Sequence, residues 1–264
     1  GVLTCALPIS QSPPPFGRRF DALEVRSPLG RFCAENGGPL MVVIDRPSWQ
    51  AQKLEALADA GCALHLGERV EGFSEDGIVT KRGGYTAPYV IGADGASSRV
   101  RRHLGLGAGP SIRALQMIVP PESAARINPD VPTVWFCARG MGLGYAWSFP
   151  DADGNLRLGM GADSRTTDGA ALRRAFANWL LEVGSVRGSM RGGTIRCGYA
   201  GHRFGRFRLA GDAAGLASPL TGEGIAQALE SGAEVAREIL EPGYASQAIS
   251  RLATRHRRTH DVVA

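Results

Sequence analysis

Apolar positions along the chain switch between two spacings, and the switches mark out its elements. Asp21 to Gly30 reads as a strand and turn, and Met41 to Ile44 as a short apolar strand. Between Trp49 and Ala60 the apolar residues Trp49, Leu54, Leu57 and Ala58 fall at helical spacing, and Gly61 closes the run. Three short β-rich runs follow, Ala63 to Leu66, Val70 to Phe73 and Ile78 to Lys81, with Asp76-Gly77 and Gly83-Gly84 as turns. Tyr89 to Ile91 predicts a buried strand feeding a glycine-containing loop and an arginine-rich helix. From Ser111 to Arg196 the character changes. Strand-like segments surround Val134 to Cys137, Tyr145 to Phe149 and Leu156 to Met160. Asp168 to Leu181 places Leu172, Ala175, Phe176, Trp179 and Leu180 on one side of a helix. From Phe207 the pattern returns to strand, loop and a long helix, Glu223 to Leu240. Its predicted stripe is Ile225, Ala228, Leu229, Gly232, Val235, Ala236 and Ile239.

This order predicts an α/β protein. Residues 21–110 and 197–240 form one domain, a sheet-plus-helix domain is inserted at 111–196, and 241–264 is a helical tail. Residues 1–20 read as a non-native or disordered leader, because Gly1 to Pro15 has neither an initiator Met nor a basic stretch before its apolar residues. Composition narrows the class. Hydrophobic residues make up 44% and charged residues 21%, ordinary for a globular protein, and no run of about 18 apolar residues exists to span a membrane. A peripheral membrane contact stays compatible with that. Net charge is +5, yet only Lys53 and Lys81 are lysines among the 30 basic residues, a skew typical of a GC-rich genome. Nucleic-acid binding is not indicated: the one dense basic cluster, Arg251 to His260, carries no aromatic residue. Five widely spaced cysteines, without a C-x-x-C pair, suit a reducing, cytoplasmic compartment better than a disulfide framework or zinc site. His256 and His260 lack a third ligand and read as solvated tail residues.

Two strings carry candidate chemistry. In Val90 to Gly105 (VIGADGASSRVRRHLG) a strand runs into Gly92-Ala93-Asp94-Gly95, and Ser97 or Ser98 caps a helix bearing Arg99, Arg101 and Arg102. A helix start of this kind can receive an anion, with Asp94 hydrogen-bonding to hydroxyls or ordered water beside it. Alone, the string is also an ordinary strand-to-helix turn. In Arg206 to Gly232 an apolar strand ends at Gly211-Asp212, and Pro219 to Gly224 forms a glycine-bracketed loop opening the long helix. Asp212 is placed to accept hydrogen bonds from a sugar-like chain, and Gly222 and Gly224 let backbone N–H groups approach a planar ligand. A third string, Leu143 to Pro150 (LGYAWSFP), alternates Tyr145, Trp147 and Phe149 on one strand face, which is core or a ligand wall.

GADGASSRVRR and GDAAGLASPLTGEGIAQAL, in this order with a domain between them, resemble the second and third FAD motifs of the flavoprotein hydroxylase superfamily. Within it, PLTGEGI and LGYAWSFP are similar to the geranylgeranyl reductase family, whose Tyr-x-Trp-x-Phe-Pro motif lines a lipid cavity. The resemblance implies a Rossmann-like FAD-binding domain of the para-hydroxybenzoate hydroxylase type with an inserted substrate domain. It implies FAD contacts at Asp94, Gly95, Gly211, Asp212, Pro219, Gly222, Glu223, Gly224 and Ile225, and substrate contacts at Tyr145, Trp147 and Phe149. The implied activity is reduction of double bonds in a prenyl-type lipid, with FAD as cofactor and NAD(P)H or another reductant as donor. Three alternatives share the motifs: a monooxygenase acting on a small aromatic or hydrophobic substrate, a halogenase, and an inactive fragment. Two departures stand out. No Gly-x-Gly-x-x-Gly occurs, so the first nucleotide-binding unit is expected to be missing and FAD binding to be weak. The family's Arg-x-x-aromatic-Asp segment appears as Arg46-Pro47-Ser48-Trp49-Gln50, without its acid.

Overall fold

The computed structural model describes residues 4–5, 17–35, 37–136, 144–184 and 188–263. Five strands come first: β1 (Thr4–Cys5), β2 (Gly17–Phe20), β3 (Ala22–Ser27), β4 (Gly30–Glu35) and β5 (Met41–Ile44), then helix α1 (Arg46–Asp59). β6 (Val70–Phe73), β7 (Gly77–Thr80), β8 (Gly83–Thr86) and β9 (Val90–Gly92) lead to the short α2 (Arg99–His103). The middle holds β10 (Ser111–Val119), β11 (Thr133–Phe136), β12 (Gly144–Pro150), β13 (Leu156–Asp163), α3 (Gly169–Glu182) and β14 (Met190–Arg196). β15 (Arg203–Phe204), β16 (Phe207–Leu209), α4 (Ile225–Leu240) and α5 (Gln247–Val263) follow. The described residues divide into two compact units. One takes those up to Trp49 with Pro110–Ile195, and the other takes Gln50–Gly109 with Arg196–Val262.

In the first unit a seven-stranded sheet runs in the order β14-β10-β13-β12-β11-β3-β4. Alternation decides its faces. Leu156, Leu158, Met160 and Ala162 of β13 point to one side, where α3 covers them with Leu172, Ala175, Phe176, Trp179 and Leu180. Asp168 accepts from the Ala171 N–H at 2.7 Å and starts that helix, and Gly184, at φ +74°, follows its end. A second cluster gathers Phe20, Met41, Val43 and Phe149. Residues 21–49, expected with the cofactor domain, belong here instead. β3 pairs in parallel with β11, Val25 opposite Val134, and β4 extends the edge. The expected leader is also corrected at its end: Gly17–Phe20 is a strand paired with β5, as is Thr4–Cys5, and Phe20 is buried because its ring fills the second cluster.

In the second unit β16 lies between β15 and β9, and it runs parallel to β9. A three-stranded meander of β6, β7 and β8 stands beside them in sequence, and Val100, Leu209, Ala213, Ala214 and Leu216 form the core. The expected strand at 63–66 is irregular, with Leu64 and Leu66 exposed and no partner strand among the described residues. The stripe expected on α4 is also corrected. Its buried residues are Gln227, Ser231, Val235 and Glu238, while Leu229 and Leu240 are exposed. The reason is polar: the Gly211 N–H donates to Ser231 Oγ at 2.9 Å, and Glu238 binds both His202 and the Ser246 N–H. No helix among the described residues is long and apolar enough to cross a membrane.

Candidate functional site

β9 and β16 are parallel neighbours with Gly92 opposite Leu209, so both motif loops leave the same end of the sheet. That carboxyl end is where open α/β sheets bind ligands. Past β16, Gly211 adopts φ +56°, and a Cβ there would stand 2.9 Å from that of Ala228, so only glycine brings this turn against α4. Asp212 follows, half-buried, in a short 3-10 turn. The loop beyond is closed on itself: Ser218 N–H donates to the Glu223 carbonyl at 2.7 Å and Gly222 N–H to the Ser218 carbonyl at 2.9 Å. Gly222 sits at φ +67°, as such closure requires.

Gly224 then opens α4 with no side-chain cap, leaving the positive end of a 16-residue helix dipole at this loop. A Cβ on Gly224 would lie 3.0 Å from Asp212 Oδ1 and 3.4 Å from the Cβ of Ala217, so the helix start and the aspartate are in direct apposition. Pro219, Glu223 and Ile225 are half-buried around them. One turn on, Gln227 is 8% exposed and its Oε1 is buried without a hydrogen-bond partner. Nothing in the sequence singles out Gln227, because a helical glutamine carries no motif signal.

The first motif does less than expected. Asp94 accepts from the Arg99 N–H at 2.6 Å, and Ser98 Oγ accepts from the Arg101 N–H at 2.9 Å. Its helix has five residues, and its first N–H donors are engaged by these two side chains. Gly95 takes φ +73° beside it. Arg101 sits in a basic helix yet is buried and clips the loops together. It donates to the carbonyls of Gly107, Ala213 and Gly198 at 3.0, 3.3 and 3.1 Å.

His256 is a further correction. It is 6% exposed, with Nε2 2.8 Å from the Leu216 carbonyl and Nδ1 3.3 Å from that of Cys197. It fastens α5 beneath the Gly211–Leu216 turn rather than lying in solvent. Burial lowers its pKa, and the two backbone contacts offset that only in part.

In the first unit, Tyr145, Trp147 and Phe149 share a face, with ring centroids 5.6 and 6.1 Å apart along the row. Phe136 continues it, 5.8 Å from Tyr145. Tyr145 and Trp147 are half-buried, but Phe149 is buried in the second core cluster. A Cβ on Gly159 would collide with the Trp147 indole, so that ring lies flat over β13 because position 159 is glycine. Leu143 and Cys137 lie outside the described residues.

No family model matches the chain. It is 29% identical over 242 residues to digeranylgeranylglycerophospholipid reductase 2 of Methanothermobacter thermautotrophicus, a match covering 85% of this chain and 63% of that protein. It is 32% identical over 208 residues to the protein of the same name from Methanopyrus kandleri, covering 72% and 51%. The chain therefore spans between half and two thirds of these relatives. Among solved structures, a geranylgeranyl bacteriochlorophyll reductase-like protein from Thermoplasma acidophilum superposes with a TM-score of 0.77 at 20% identity, covering 93% of this chain and 70% of that one. The chain is thus similar over most of its length to geranylgeranyl reductases, and its α/β architecture is the fold of that solved structure.

Proposed function

We propose that the chain functions in FAD-dependent reduction of double bonds of a prenyl-type lipid. The observation that carries this reading is the apposition of Asp212 with the uncapped start of α4 at Gly224. The residues present fit a flavin dinucleotide. Gly224 leaves a backbone surface that a side chain would fill, Asp212 offers an acceptor for a ribityl hydroxyl, and Gln227 Oε1 is a buried acceptor without a donor. We assign Gly211, Asp212, Pro219, Gly222, Glu223, Gly224 and Ile225 to this site, with Asp94 and Gly95 at its neighbouring turn. The chemistry a bound, reduced FAD supplies is hydride transfer to one carbon of the double bond, the other carbon taking a proton. The α4 dipole favours negative charge at the ligand edge it meets, and Asp212 fixes that ligand's orientation.

Tyr145 and Trp147 form an apolar wall suited to an isoprenoid chain, with Phe149 holding the wall in place from the core. NAD(P)H or another low-potential carrier is the proposed donor, and the lipid reaches the protein at a membrane surface within a reducing, cytoplasmic compartment. Incubating the protein with dithionite-reduced FAD and a digeranylgeranyl lipid should add two hydrogens per double bond, read by mass spectrometry. In a parallel incubation with NADPH in aerated, dithionite-free buffer, oxygen incorporation instead of hydrogen addition would make the enzyme a monooxygenase.

A further inference from the structure

Among the described residues, the large apolar side chain most open to solvent is Leu29, 100% exposed at the tip of the β3–β4 hairpin. The turn that presents it is fixed. Leu29 N–H donates to Ser27 Oγ at 3.2 Å, Ser27 Oγ donates to the Gly30 carbonyl at 3.4 Å, and Gly30 takes φ +138°. β4 is the outer strand of the seven-stranded sheet, and its Phe32 is 59% exposed. Burial on folding therefore accounts for neither side chain. Register ties the tip to the aromatic row of β12. Phe32 lies opposite Val25, Val25 opposite Val134, and Val134 opposite Trp147, so the four share one face. Phe136, also exposed, lies opposite Tyr145 on that face. The apolar row thus continues from Trp147 and Tyr145 through Phe136 and Phe32 towards Leu29. Arg26 and Arg31 are paired one step before the turn, and the Arg31 side chain is 72% exposed. Glu24 holds both guanidinium groups from behind, at 2.5 and 3.4 Å, and no acid occurs from residue 25 to 34.

We propose that the β3–β4 hairpin tip docks the chain on a lipid bilayer, with Leu29 and Phe32 entering the monolayer and Arg31 staying at the headgroup phosphates. A protein partner would need a pocket shaped for a lone protruding leucine, whereas hydrocarbon receives it without one. A stable protein interface also takes about 20–30 residues a side, and this apolar patch has a handful. An arginine beside interfacial apolar residues lays its stem along them and keeps its charge at anionic headgroups. The docking stands on exposure, register and charge. Its use as the entry through which a prenyl chain reaches Tyr145 and Trp147 rests on the lipid reading above.

The test is flotation of the chain with vesicles of phosphatidylcholine and phosphatidylglycerol, in the absence of prenyl lipid and FAD. Wild type should float with the vesicles. Leu29→Glu should partition about tenfold more weakly or worse, and keep its melting temperature because nothing packs on Leu29. Leu29→Phe keeps an apolar tip and should float like wild type. Arg31→Glu should bind these vesicles more weakly than wild type and lose less when phosphatidylglycerol is left out. Wild type that does not float overturns the proposal. So does Leu29→Glu floating as well as wild type, since the net charge of +5 would then be the whole attraction. A wild-type dimer that Leu29→Glu dissolves, without flotation, gives the tip to a second copy and overturns it too. Neither substrate nor cofactor enters the assay, so the reductase reading and this one fail separately.

Discussion

Glycine at position 224 is a requirement of its neighbour. A Cβ there stands 3.0 Å from Asp212 Oδ1, so any larger residue must push the carboxylate aside. Gly224→Val should lower the flavin midpoint potential by about 20 mV for each backbone N–H moved off the ring, at roughly 1 kcal/mol apiece. Spectroelectrochemical titration of the flavin-loaded protein measures this, and an unchanged or raised potential would show that α4 does not meet the flavin. His256 gives a different test. Its folded pKa lies below the usual 6.5, so the unfolded chain binds the proton more tightly. Its contribution is complete above about pH 6.5 and declines as pH falls through the window beneath. The Glu238 carboxyl is also displaced: burial raises its pKa, but bonds from the Ser246 N–H and His202 outweigh that and leave it lowered. Ser246 and Tyr244 lower Glu234 likewise. Those contributions are present above the usual 4.5 and lost below it. Urea melts across pH should therefore show two stages. His256→Gln, which retains an N–H for the Leu216 carbonyl, should remove only the upper one. Nothing in RLATRHRRTH announces that His256 turns inward, because its acceptors, Cys197 and Leu216, are far away in sequence.

At the level of elements, apolar alternation was a sufficient guide wherever burial is apolar. β12, β13 and α3 appear where the pattern places them, and the five predicted residues of α3 are the ones it buries. The pattern misleads where polar contacts set the face. α4 buries Ser231 and Glu238 because a backbone N–H and a histidine meet them, and hydrophobic periodicity cannot register such partners. Ser231→Ala should leave the buried Gly211 N–H without an acceptor and cost about 1–3 kcal/mol, measured by chemical denaturation. A variant as stable as wild type would mean the turn is held otherwise. In β13, Gly159→Ala should displace the Trp147 indole, visible as a change in tryptophan emission. It should also impair reduction of prenyl lipids more than it impairs flavin binding. Equal losses in both would move Trp147 out of the substrate wall.

For the whole molecule, the motif order was informative, and the placement of residues 21–49 was not. Both loops of the cofactor reading emerge from adjacent parallel strands, although more than a hundred residues separate them in sequence. The boundary after Trp49 was hidden because β3 joins β11 through a parallel pairing across a similar distance, which no local spacing encodes. The central claim is that the Asp212–Gly224 apposition holds FAD. Fluorescence titration of the chain with FAD tests it most directly, comparing wild type with Asp212→Ala. We expect saturable binding, weak because no Gly-x-Gly-x-x-Gly is present, and a further loss of about ten- to hundredfold in the variant with its melting temperature retained. No saturable binding by wild type, or equal affinities in the two proteins, would contradict it.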